Sequence, residues 1–167
     1  MRLLPLLLLA LPLPLAAQGA PARRSSCTVE RIIDGDTFVC AGKRHVRMLL
    51  IDAPEHGQHP AGDSAKAVLS RLLPRGAAVT LELAHDSLDR YGRTLAYVWV
   101  GDSALVNAEI VRSGWAVVEL YGRHDQQYLP RLRVAEQTAR YGRRGWWKTG
   151  EIACRPRRFR RHLCRGG

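Results

Sequence analysis

Beyond residue 20 the chain alternates short apolar runs with turn residues, the pattern of a sheet built from hairpins. Residues 27–33, 36–41 and 44–51 read as a three-stranded meander, turning at Asp34-Gly35 and at "AGK", residues 41–43. The run "MLLI" at 48–51 is apolar at every position, so this strand is expected to be covered on both faces. Ala65, Val68, Leu69 and Leu72 recur at helical spacing and predict a helix over 63–73, capped by Asp63 or Ser64 and stopped by Pro74 and Gly76. A fourth strand follows at 77–83 and a fifth at 94–100, ended by Gly101-Asp102. A short helix is expected over 104–114, closed by Gly114, and a sixth short strand over 115–120. The last helix runs over about 129–140, with Leu129, Leu132, Ala135 and Ala139 on one face and Pro130 tolerated in its first turn.

Strands joined early by hairpins and interleaved with three short helices predict an α+β chain, mainly β. The natural architecture is a five-stranded OB-fold barrel with three packed helices. The first twenty residues stand apart: Arg2, the apolar "LLPLLLLALPLPL" and the small-residue "LAAQGA" form a signal peptide pattern. Pro5, Pro12 and Pro14 interrupt it, which argues against a spanning helix. The domain expectation is therefore a signal peptide over 1–20, a globular domain over 26–149 and an Arg-rich tail over 150–167. The mature form is expected to be monomeric, free of the membrane, and secreted or periplasmic.

Charge narrows the class of partner. The 167 residues carry 26 basic and 15 acidic side chains, a formal net charge of +11, and 23 of the basic ones are Arg. Guanidinium forks grip phosphate oxygens in pairs, so a small exported protein of this composition suits polyanions, nucleic acid first among them. A merely solvated basic surface is the competing reading. Cys27, Cys40, Cys154 and Cys164 fit two disulfides, with local pairing Cys27–Cys40 and Cys154–Cys164 expected. A zinc site on Cys154, His162 and Cys164 lacks a C-x-x-C half.

In "RIIDGDTFVC", residues 31–40, a turn accounts for Asp34 and Gly35 but leaves Asp36 unexplained. A second acidic stretch, "IDAPE", ends the third strand at Asp52, Ala53, Pro54 and Glu55. If residue 40 pairs with 44, Thr37 faces Arg47, and Asp36 and Asp52 approach one rim of the sheet. A turn after a strand would explain "IDAPE" alone, yet Arg47 lies in a strand apolar enough to be core, where an unpaired guanidinium is costly. Two carboxylates and an Arg at one rim make either a salt-bridge cluster or a site. Carboxylates with a backbone carbonyl suit Ca²⁺, and added Glu and Arg suit phosphoryl chemistry. "DRYGR", residues 89–93, is a β-turn that also brackets Tyr91 with Arg90 and Arg93.

"IDGDT", "VRMLLIDAPE", "DRYGRTLAYVWV" and "ALVNAEIVRSGWA" occur in order, and with "AEQTARYGRRGWW" the chain resembles the secreted staphylococcal (micrococcal) nuclease family over about residues 28–148. The resemblance implies an OB-fold barrel with three helices. It implies that Asp36, Asp52 and the main-chain carbonyl of Ala53 bind Ca²⁺, that Glu55 is the general base, and that Arg47 and Arg93 clamp the scissile phosphate. Tyr91 is implied at a terminal phosphate of the substrate, and Asp34 in shaping the metal site. Arg90 and Tyr121 join Tyr91 as candidate substrate contacts. A base-stacking tyrosine of the family falls on Leu120, next to Tyr121, and the loop "HGQHPAG" after Glu55 is shorter than in the family. His56 and His59 in that loop read as a polar turn. Arg112 and Glu136 are expected to pair structurally, Trp146 and Trp147 to cap the core, and the terminal arginines to contact phosphates loosely or aid solubility.

The function implied is an exported, Ca²⁺-dependent phosphodiesterase acting on DNA and RNA without base specificity and leaving 3′-phosphate ends. A non-catalytic nucleic-acid-binding module of the same fold, and a binder of other polyanions, stand as alternatives.

Overall fold

The computed structural model describes residues 23–121, 126–149, 152 and 154–164; the expected signal peptide lies outside the described residues. The meander forms as β1 (Arg24–Ile32), β2 (Thr37–Cys40) and β3 (Arg44–Met48). After β4 (Ile51–Asp52) come α1 (Ala61–Leu72), β5 (Ala78–Leu88) and β6 (Thr94–Val100). The chain continues through β7 (Ala104–Leu105), α2 (Val106–Arg112), β8 (Val117–Val118) and α3 (Leu129–Tyr141), then a 3₁₀ turn at Gly145–Thr149 and α4 (Pro156–Arg160).

The sheet order is β3-β2-β1-β5-β6-β7, and a parallel pairing of β3 with β6 closes five strands into a barrel. Register shifts in β1 between Val29 and Arg31, and in β5 between Leu83 and Leu88, supply the bends that closure needs. Phe38, Val46, Met48, Leu81, Ala96 and Val98 fill the interior. α1 and α2 cover it through Ala65, Leu69, Ala108 and Ile110, and α3 adds Leu132 and Ala135. The fold is the mainly-β OB barrel with packed helices. Among the described residues, no helix is long and apolar enough to cross a membrane.

Several elements differ from their sequence pattern. The third strand does not run through to residue 51. It stops at Met48, and Leu50 takes a left-handed φ of 57° while staying buried. Apolar residues at 48–51 serve a buried kink as well as a buried strand. Helix α1 starts at Ala61 after Pro60, without a side-chain cap; the Asp63 carboxylate bonds His59 Nδ1 at 2.6 Å instead. The second helix yields its first two residues to β7, and the sixth strand shortens to Val117–Val118, paired with β4. Arg112 bonds Glu109 at 2.6 Å, while Glu136 accepts the Val118 amide at 2.8 Å, so the expected Arg112–Glu136 pair is not formed. Trp147 is buried against Val117 and Ala139.

Cys27 is bonded to Cys40 across the first hairpin, and Cys154 to Cys164 around α4. The second bond leaves no thiolate for a zinc ion there.

Candidate active site

The hairpin brings the first acid to the rim. Asp34 Oδ1 accepts the Asp36 amide at 3.0 Å, and the Thr37 carbonyl accepts the amides of Ile33 and Asp34. This tight turn points Asp36 inward. Gly35 is required where it stands, because a Cβ there would lie 2.6 Å from Ala53 Cβ and 2.7 Å from Ala65 Cβ. Thr37 is the register partner of Arg47, and the Asp36 carbonyl accepts the Met48 amide at 2.9 Å. Arg47 and Asp36 thus emerge together, and Arg47 Nη1 abuts Asp36 Oδ1.

The kink at Leu49-Leu50 swings β4 back toward the same point. Asp52 Oδ1 accepts Arg47 Nη2 at 3.0 Å, and Asp36 Oδ2 accepts the Ala53 amide at 2.7 Å. Asp36, Arg47 and Asp52 are 4%, 8% and 0% exposed, so the cluster is walled by protein. Burial at this depth is affordable only because each charge has an opposite partner. Glu55 follows on a turn that Gln58 closes, its amide donating to Gln58 Oε1 at 3.0 Å. Gly62 packs directly against the Glu55 carbonyl, leaving no room for a Cβ.

Asp34 behind the turn has its carboxyl pushed above the usual carboxylate range by burial, against the opposing pull of Arg47 and the Thr37 hydrogen bonds. Arg93 adds a smaller pull in the same direction as Arg47. Asp89 holds Arg93 in place, accepting Nε at 2.7 Å and the Arg93 amide at 3.0 Å. Burial works to raise the Asp89 carboxyl, but these bonds outweigh it and hold it below the usual range. Tyr91 is exposed, with its hydroxyl accepting Arg90 Nη2 at 2.6 Å and the Arg90 and Arg93 guanidiniums over its ring. Arg90 and Tyr91 therefore form an outer ledge rather than part of the buried cluster.

One participant is absent from the sequence reading. Arg160, from α4, reaches across the rim: Nη1 and Nη2 donate to Asp52 Oδ1 and Oδ2 at 3.0 Å each, and Nη1 also bonds Glu55 Oε1. Its Nη2 donates to the Tyr121 hydroxyl at 2.5 Å. Burial and the neighbouring Asp52 charge push the Tyr121 phenol well above its usual range, so it stays neutral. Leu120, next to it in the chain, is exposed. The sequence analysis expects the terminal arginines only to contact phosphates loosely or aid solubility; the structure instead sets Arg160 against Asp52 and Glu55.

A cleft of about 350 Å³, bordered by Arg31, Asp34, Glu55, His56 and Lys66, opens next to these carboxylates. A larger one of about 750 Å³ lies beyond the 57–61 loop, between Trp115, Trp146, Lys148 and Phe159, and contains none of them. The donors around Asp36, Asp52, Ala53 and Glu55 are all oxygen, a set that fits a hard divalent cation. Among the described residues no three acidic, His or Cys side chains stand in a metal-holding arrangement. The carboxylate oxygens face Arg47 and Arg160 instead.

A closed OB barrel carries buried carboxylates set against guanidinium groups at one rim. Residues 45–149 match the family described as staphylococcal nuclease homologue. The chain is 30% identical to a thermonuclease of Staphylococcus intermedius, over 81% of this chain and 83% of that one. It is 32% identical to a thermonuclease of Staphylococcus hyicus, over 75% and 78%. Against the endonuclease YncB of Bacillus subtilis (strain 168) it is 33% identical, over 77% and 64%. The chain belongs to the staphylococcal nuclease family.

Proposed function

We propose that this protein is an exported, monomeric, Ca²⁺-dependent nuclease that hydrolyses phosphodiester bonds of DNA and RNA and leaves 3′-phosphate ends. The observation that carries the reading is the convergence of Asp36, Asp52 and Glu55 with Arg47 at one rim of the barrel. Export is supported by the leader pattern of residues 1–20 and by two disulfides. An edge-reading element for bases is not evident in the motifs, so cutting without base specificity is expected.

Asp36, Asp52 and the Ala53 carbonyl would hold the cation. Bound there, Ca²⁺ supplies a Lewis acid that draws charge from a phosphate oxygen and acidifies a water. Glu55 takes the proton of the attacking water as its oxygen bonds to phosphorus. Arg47 and Arg93 stabilise the charge that builds on the equatorial oxygens, each contact worth a few kcal/mol. The P–O5′ bond breaks, and the leaving oxygen takes a proton from solvent water while the Arg93 guanidinium beside it offsets its developing charge. Asp89 keeps the Arg93 guanidinium aimed, which spares the reorganisation that a free side chain would need. Arg90, Tyr91 and Tyr121 contact the flanking nucleotide.

Digestion of plasmid DNA and of RNA with Ca²⁺ or with chelator, followed by end-group analysis, tests this reading. Cleavage that stops with chelator and yields 3′-phosphates is expected. Gel retardation without cleavage would assign the chain to binding alone.

A further inference from the structure

Arg160 stands where the proposed chemistry needs open carboxylates. Both oxygens of Asp52 are taken by its fork, and one of them is shared with Arg47. The Glu55 carboxylate, required to receive a proton, bonds the same guanidinium. A guanidinium in front of these oxygens repels a divalent cation by like charge and occupies three of the lone-pair positions on Asp52 together with Arg47.

The segment that delivers Arg160 is fastened beside the rim at several points. The Cys154 carbonyl accepts Gln58 Nε2 at 3.0 Å, Arg157 pairs with Glu119 at 2.8 Å, Pro156 is buried, and the Phe159 ring lies over Gly57. The Cys154–Cys164 bond closes the segment into a ring that holds α4 together. Gln58 and Gly57 belong to the turn that carries Glu55, so the segment touches the site through both backbone and charge. The match to the nuclease family ends at residue 149, before this segment begins. Its contacts are nevertheless strongest at the carboxylates and not at the outer ledge, where a loosely phosphate-binding tail would spread its arginines.

We propose that residues 154–164 are a built-in latch: in the cation-free protein Arg160 caps Asp52 and Glu55, and it must leave before a cation and a water can occupy the site. This rests on the reading of those carboxylates as the cation site. The latch makes metal loading and release of the C-terminal segment one competition, so the apparent cation affinity is lowered by the fraction of molecules that are closed. Arg160 is part-exposed, which places its hold at the lower end of charge-assisted hydrogen bonding, about tenfold in apparent affinity.

Calorimetric titration of the full chain with Ca²⁺ compares wild type, Arg160→Ala and Arg157→Ala, with thermal melts to verify folding. Arg160→Ala should bind Ca²⁺ about tenfold more tightly, and Arg157→Ala, which loosens only the anchor at Glu119, should tighten binding by less. In wild type, trypsin should cut within 157–161 faster with Ca²⁺ present than with chelator. Equal Ca²⁺ affinity in wild type and Arg160→Ala, or weaker binding in the variant, overturns the latch while leaving the cation site standing. Absence of Ca²⁺ binding in all three proteins would overturn the site reading itself and the latch with it.

Discussion

Asp36 directly follows the Asp34-Gly35 turn, where a strand has no use for a carboxylate, and its position is explained only by what it faces. Arg47 and the Ala53 amide both point at it. Glu55 differs from the buried Asp36 and Asp52: it is part-exposed beside an open cleft, which is what the proposed role as base would require for proton exchange with solvent. Glu55→Gln is therefore expected to lower kcat by about 10²-fold or more while leaving the melting temperature near that of wild type. An undiminished rate would remove Glu55 from the mechanism. Arg93 and Asp89 form a second unit at this scale. Arg93→Ala should lower kcat by about 10²–10³, whereas a fall confined to substrate affinity would assign Arg93 to binding. The Asp89 carboxyl lies below its unfolded range, so its contribution to stability is complete above that range and fades as pH falls through the folded value. The stability difference between wild type and Asp89→Asn should be constant above about pH 5 and shrink on acidification. A gap that widened toward low pH would have the sign wrong.

Elements bring these residues together, and they were unequally legible in the sequence. The hairpin register was readable, because the "AGK" turn sets Cys40 opposite Arg44 and so Thr37 opposite Arg47. The break after Met48 was not, since a buried strand and a buried kink demand the same apolar residues. Yet the kink is what carries Asp52 back to Arg47. The start of α1 was misread for a related reason. Its position is set by the close approach of Gly62 to the Glu55 carbonyl, a contact between backbones that no capping pattern encodes. Gly62→Ala should therefore displace the Glu55 turn. Destabilisation of about 1–3 kcal/mol is expected, together with a loss of kcat measured at a temperature where the variant is fully folded. Wild-type kinetics in Gly62→Ala would show that α1 does not position Glu55.

At the scale of the whole molecule, the barrel gathers two buried acids at one rim, and the C-terminal segment answers their surplus charge with Arg160. Local sequence reading reached the barrel because hairpins and helix faces are short-range patterns. Arg160 was out of its reach, lying 108 residues from Asp52 in sequence and within an arginine run with several equivalent members. The account depends on the rim being a cation site rather than a static salt-bridge cluster. Diffraction from crystals grown with Ca²⁺, recorded for anomalous signal, tests this most directly. The expected result is a peak bounded by Asp36, Asp52 and the Ala53 carbonyl, with Arg160 turned away. No peak there, with Arg160 still bonded to Asp52 and Glu55 at saturating Ca²⁺, would contradict it.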